Sequence, residues 1–216
     1  KILRERPFRS PHHSISRPAM IGGGSNLLPG ELSLAHTGVL FMDEIPEFSK
    51  HILESLRQPL EQGTVSISRA LGTIHYPCNC ILVAASNPCP CGYKFRQTKA
   101  CCCSQNQYLQ YTKRISGPIL DRIDLKVFVR PVATKDITEK NLQHNQTSIE
   151  MRNRVILARS RQAKRYKNAG ILTNSQLSTK QIRTYCQLEP QAEQILKKSS
   201  QKYQFSTRVY FKLIKI

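Results

Sequence analysis

Gly38-Val39-Leu40-Phe41-Met42-Asp43-Glu44 is an unbroken apolar run that stops at two adjacent carboxylates, and Ile45-Pro46-Glu47-Phe48 follows at once. Such a run reads as a strand buried on both faces of a parallel sheet, the type of sheet whose carboxyl ends carry ligands. Two acids at that end fit metal and phosphate chemistry. An aspartate there can help hold the magnesium ion of a nucleoside triphosphate, and a neighbouring glutamate can orient or deprotonate the attacking water. A buried strand that simply runs into a polar loop would leave the same trace, so the stretch has to be weighed with its neighbours.

Three further segments follow in order. Ile81-Leu82-Val83-Ala84-Ala85-Ser86-Asn87 is a second apolar strand ending in an amide able to hydrogen-bond a water or a terminal phosphate. Ser116-Gly117-Pro118-Ile119-Leu120-Asp121-Arg122-Ile123-Asp124-Leu125 sets an arginine just ahead of a third apolar run, Leu125 to Val129, where a guanidinium could reach a neighbouring subunit's phosphate. Ser206-Thr207-Arg208-Val209-Tyr210 places an arginine in the first turn of a helix, where the amino end already favours anions. Each arginine alone fits a surface charge or an ion pair better than a catalytic role. The ordered set is what points to nucleotide hydrolysis.

Between these segments the patterns alternate. Lys50 to Glu61 carries Ile52, Leu53, Leu56 and Leu60 at helical spacing after a Ser49 cap, with Pro59 expected to kink or end the helix. Val65 to Arg69 and Gly72 to Tyr76 alternate apolar and polar residues about a short connection, the pattern of a β-hairpin over 65–76. Residues 131–147 are polar and weakly patterned, as a linker would be. Helices then resume over 148–216: a long basic one capped by Thr147 or Ser148, one begun by the Ser178/Gln181 capping box, one begun at Pro190 and one capped by Ser206.

Cys89-Pro90-Cys91 and Cys101-Cys102-Cys103 face each other across a short polar loop, 88–108. Two such pairs offer four thiolates to a tetrahedral zinc, with Cys89, Cys91, Cys101 and Cys103 the expected ligands and Cys102 the alternative. A reduced, metal-free cluster fits the same spacing. Cys78, Cys80 and Cys186 sit in apolar or helical patterns and read as small buried hydrophobes, and His12-His13 has too few partners for a metal site.

With Arg6-Pro7-Phe8-Arg9-Ser10-Pro11-His12-His13, Ile21-Gly22-Gly23-Gly24, Pro29-Gly30-Glu31-Leu32-Ser33-Leu34-Ala35-His36, the Asp43-Glu44 strand, Asn87-Pro88-Cys89-Pro90-Cys91-Gly92-Tyr93 and Ser116 to Leu125, the chain resembles the magnesium-chelatase-like AAA+ ATPases, and within them the ComM-type competence proteins. The resemblance implies a partial α/β AAA+ core over 1–130 and a helical lid over 148–216. It implies ATP and Mg2+ as cofactors, Asp43 and Glu44 as the Walker-B pair, Asn87 as sensor 1, Arg122 as the arginine finger and Arg208 as the sensor-2 arginine. It also implies that the hairpin points into the pore of a homo-oligomeric ring, with Arg69 facing DNA, and that the activity is branch migration of recombination intermediates. One element of the family is absent: no Gly-Lys-Ser/Thr phosphate loop occurs, and Gly22-Gly23-Gly24 lacks the lysine and hydroxyl that would replace it. The chain therefore reads as the C-terminal piece of a longer ATPase, its first strand and phosphate loop upstream and its lid cut short at Ile216.

Composition is compatible with this reading. The 216 residues are 39% hydrophobic, enough for one domain plus a small one, and the clustered cysteines and the absence of a signal-peptide pattern suit the cytoplasm. The net charge is +19, of which +12 falls in Ile149 to Ile216, favouring a polyanionic partner and leaving a solvated basic face as the plainer account. Two other classes share these features: the ATPase subunit of a metal chelatase, and a non-enzymatic zinc-containing nucleic-acid-binding module.

Overall fold

The computed structural model describes residues 5–24, 26–69, 72–95, 99–130 and 146–216, the side chain of Arg69 excepted. The chain divides into two units, 1–131 and 132–216. The first is built around the quoted run. Gly38 opens it because a Cβ there would stand 1.9 Å from the carbonyl oxygen of Pro7, so only glycine lets the two backbones meet. Past that point Val39–Met42 forms β4, although the strands are numbered here in chain order: β1 is Phe8–Arg9, and Gly22–Gly23 and Leu28–Pro29 are the short β2 and β3. β4 pairs in parallel with β1 on one side and with β7, Ile81–Ala84, on the other, in register from Val39↔Ile81 to Met42↔Ala84.

Parallel neighbours need crossovers. Helices α1 (Arg17–Ile21) and α2 (Glu31–Leu34) lie between β1 and β4, while α3 (Lys50–Ser55), α4 (Arg57–Gln62) and a hairpin lie between β4 and β7. Their apolar faces meet the sheet. Leu40 and Met42 are fully buried, in one cluster with Met20, Leu32, Ile52, Leu53 and Leu56. Each such side chain contributes about 1.5–3 kcal/mol on burial.

The expectation of a strand buried on both faces is corrected. Burial alternates along Val39–Met42, and on β7 Ile81 and Val83 are 56% and 42% exposed. The helices of the buried cluster cover the Leu40/Met42 face, and no described helix closes the other to the same degree. The third apolar run forms no strand: residues 123–130 take no regular structure, and Leu125, Val127 and Val129 are 69%, 82% and 82% exposed. β-propensity makes a strand only where a partner strand completes its hydrogen bonds.

The helix expected over 50–61 is two helices. Ser49 Oγ accepts from Ile52 N–H at 3.3 Å, and the break falls at Leu56. Pro59 has no N–H for the Ser55 carbonyl and its ring crowds that group, which accounts for a break just upstream of the proline. The hairpin is formed by β5 (Thr64–Arg69) and β6 (Gly72–Pro77), paired from Thr64↔Pro77 to Arg69↔Gly72. Val65 and Ile67 are buried, whereas Ser66 and Ser68 face out and meet His75 Nδ1 and Thr73 Oγ1, each at 2.8 Å. Its connection at 70–71 lies outside the described residues, as do 131–145, most of the expected linker. Helices α5 (Gln105–Thr112) and α6 (Gly117–Leu120) complete the unit.

The second unit is helical: α7 (Ser148–Arg165), α8 (Thr179–Tyr185), α9 (Pro190–Tyr203) and α10 (Thr207–Lys215). Thr147 and Ser178 form capping boxes with Glu150 and Gln181, and Ser206 Oγ accepts from Val209 N–H. A small core of Tyr166, Leu177 and Ile182 is joined by Phe211 and Ile214. Tyr166 donates to Asn174 Oδ1 at 2.9 Å, and Asn174 donates in turn to the Lys215 carbonyl at 3.0 Å, fastening α10 to the loop before α8.

Candidate functional site

At the carboxyl end of β4 the backbone turns sharply. Glu44 is in the left-handed region at φ 49°, ψ 46°, a conformation that costs a non-glycine residue of order 1–3 kcal/mol. Its N–H donates to Asp43 Oδ1 at 2.9 Å, so the aspartate is folded over the turn that presents the glutamate. The ladder continues past the turn: Ala85 N–H donates to the Met42 carbonyl and Ile45 N–H to the Ala85 carbonyl, both at 3.0 Å. Asn87 lies two residues beyond Ala85 and is exposed. The two acids and the amide therefore sit on adjacent parallel strands at the same edge of the sheet.

His13 also reaches this edge. Its Nδ1 is 3.9 Å from Glu44 Oε2, and its ring lies 4.0 Å from that of His12 and 6.4 Å, edge-on, from Phe48. The sequence reading sees in this pair only loop residues. The contact arises because β1 pairs with β4, and a strand of two residues has no periodicity by which to detect it.

Arg122 is held within its own chain. Its Nε donates to the Arg57 carbonyl at 3.0 Å, Nη1 donates to the Pro118 carbonyl and Nη2 pairs with Glu61 Oε2, and the side chain is only 13% exposed. Glu61, on α4, is a partner that sequence spacing does not reveal. Arg69 ends β5 at the tip of the hairpin. Arg208 stands in the first turn of α10 in the second unit and is exposed.

The cysteines converge. Sγ atoms of Cys89, Cys91 and Cys101 are 3.4, 3.5 and 3.7 Å apart in pairs, and with Cys103 all four lie within 4.8 Å of one another, while Cys102 is exposed. A tetrahedron of Zn–S bonds of about 2.3 Å has edges of about 3.8 Å, so Cys89, Cys91 and Cys101 fit zinc with shifts of a few tenths of an ångström and Cys103 with a shift of at most about 1 Å. Gly92, at φ 76°, turns the chain back so that its N–H reaches the Cys89 carbonyl at 3.0 Å. The next amide, of Tyr93, donates to Cys91 and is the largest of the effects that hold this thiol well below its ordinary range, while the neighbouring thiols of Cys101 and Cys103 are held above theirs, so Cys91 is the first of the cluster to ionise. A thiolate stabilised by backbone amides is the donor a zinc site requires.

Residues 1–137 match the family model described as magnesium chelatase, subunit ChlI, and residues 145–216 match that of the C-terminal part of the same subunit. Protein YifB of Escherichia coli (strain K12) is 42% identical over 217 residues, covering all of this chain and 41% of its own length. Competence protein ComM of Haemophilus influenzae is 41% identical over 214 residues, 99% of this chain and 40% of its own length. DNA replication licensing factor mcm2 of Schizosaccharomyces pombe is 30% identical over 111 residues, 51% of this chain and 12% of its own length. The chain thus spans about two fifths of the length of the first two relatives.

Proposed function

We propose, because this chain belongs to the family of magnesium chelatase subunit ChlI, that it forms part of a ring-shaped AAA+ ATPase motor that moves DNA. The observation that carries the reading is the turn at the end of β4, where Asp43 and Glu44 are presented beside the strand leading to Asn87. In this reading Asp43 helps hold the magnesium of ATP, Glu44 takes the proton of the attacking water, and Asn87 fixes that water. Arg122 completes the site of a neighbouring subunit and Arg208 reports the phosphate state to the helical unit. ATP and magnesium would supply the phosphoryl chemistry, and the 216 residues themselves contain no Gly-Lys-Ser/Thr loop.

DNA is the polymer we assign. One relative is named a competence protein and another a DNA replication licensing factor, and the net charge of +19 favours a polyanion. Branch migration of recombination intermediates is the activity that likeness to ComM supports, with Arg69 at the hairpin tip as the pore contact. Cys89, Cys91, Cys101 and Cys103 hold a structural zinc that cross-links the loop following Asn87.

The test is Glu44→Gln in the full-length protein. The amide keeps the shape of the carboxylate and cannot accept the proton, so nucleotide binding is retained while turnover falls at least about a hundredfold. Turnover within threefold of the unaltered protein would remove Glu44 from the role and with it the Walker-B reading.

A further inference from the structure

An arginine that acts on a neighbouring subunit's nucleotide has to leave, or reorient from, whatever holds it beforehand. Here the holder is explicit. Two backbone carbonyls, of Arg57 at the start of α4 and of Pro118 in α6, accept from Nε and Nη1 of Arg122, and the carboxylate of Glu61, one turn further along α4, takes Nη2. The carbonyls fix the plane of the guanidinium but do not cancel its charge. Glu61 does that. Arg122 is 13% exposed and Glu61 46%, so the pair is open to solvent from the side of the acid. An anion approaching from that side meets a carboxylate that repels it and a guanidinium already paired.

We propose that Glu61 is an intramolecular stand-in for the nucleotide phosphate: it neutralises Arg122 within an isolated subunit and is displaced by the phosphate of a neighbour when subunits associate. The inference rests on the reading of Arg122 as the trans-acting arginine and adds the residue that regulates it. Glu61 is a positioning residue in this scheme, since it touches the arginine and never the nucleotide. It makes the charge available only at an assembled interface, where a phosphate bearing more than one negative charge competes better for a guanidinium than a single carboxylate does.

The experiment uses the full-length protein and measures ATP turnover per subunit against protein concentration, with thermal melting alongside. Glu61→Gln keeps the volume and an acceptor oxygen and removes the charge. It is expected to leave the melting temperature within about 2 °C and to lower the protein concentration for half-maximal turnover about two- to fivefold, the range that a half-exposed ion pair supports. Arg122→Ala abolishes turnover at any concentration, and Glu61→Gln added to it restores nothing. An unchanged half-activation concentration in a Glu61→Gln protein that melts normally overturns the proposal. So does a raised concentration with a lowered melting point, which would make Glu61 a structural strut between α4 and α6. If Arg122→Ala turns over normally, the trans-acting reading itself has failed, an outcome distinct from either result for Glu61.

Discussion

Replacing Cys101 by serine tests the metal site at one of its converging vertices. Cys101 Sγ lies 3.7 Å from Cys89 and 3.5 Å from Cys91, so it stands at a vertex shared by two of the edges that zinc would span. A serine hydroxyl at that vertex remains protonated near neutral pH and is a poor zinc ligand. Loss of even a residue that orients a ligand weakens metal binding 10–100-fold, so loss of a ligand itself should exceed about a hundredfold, or about 2.7 kcal/mol. Cys102→Ser is the matched control, since Cys102 is exposed and outside the group of four. Protein prepared under reducing, chelator-free conditions is expected to carry about one zinc per chain by elemental analysis, unchanged in Cys102→Ser. Competition with a chromogenic chelator should show the hundredfold loss in Cys101→Ser. Zinc-free protein, or equal retention by the two variants, would refute the site. Because the cysteines cross-link a loop rather than the sheet, chelation should loosen 88–108 before the core, which proteolysis at Lys94 or Lys99 would register.

Four further outcomes are expected. Affinity for DNA should fall steeply with salt and vary little with sequence, and Arg69→Ala in the assembled protein should reduce branch migration more than ATP hydrolysis; equal loss of both activities would remove the hairpin from force transmission. Burial, with Cys80 a lesser contributor, pushes the Cys78 thiol up to about 11. The protonated form is the one the fold favours, so this contribution is intact below the ordinary thiol range and is lost as pH rises towards 11; at pH 8 an alkylating reagent should modify exposed Cys102 and spare Cys78 until the chain is denatured, and early modification of Cys78 would contradict its placement. Backbone amides of 125–129 should exchange rapidly in the 216-residue chain and become protected in the full-length protein; equal rates would mean that this segment is not a strand in either.

What could be read from the sequence is what local spacing controls. The two C-x-C pairs, the alternation in Val65–Arg69 and Gly72–Tyr76, and the caps at Thr147, Ser178 and Ser206 are each decided within a few residues, and each appears in the structure. The Pro59 effect was legible in kind, although the break falls at Leu56, because a proline acts on the carbonyl four residues back. Contacts across the fold were not legible. His13 meets Glu44 only because β1 takes the place beside β4, and Glu61 meets Arg122 only because the turn after α6 returns to α4, at a sequence separation of 61 residues. No periodicity in either segment encodes its neighbour.

The run Leu125 to Val129 is the instructive failure. Its composition is that of a buried strand, yet Val127 and Val129 are 82% exposed. On β7, Ile81 and Val83 are exposed too, and among the described residues β7 pairs on one side alone, with β4. These are two halves of one deficit: a strand edge with unfilled hydrogen bonds, and an apolar segment with strand composition and no ladder to join. A strand on the open side of β7 would complete that edge, and 125–129 has the composition of such a strand. Nucleotide-binding sheets place their phosphate loop at the carboxyl end of a strand, the edge at which Asp43, Glu44 and Asn87 already lie.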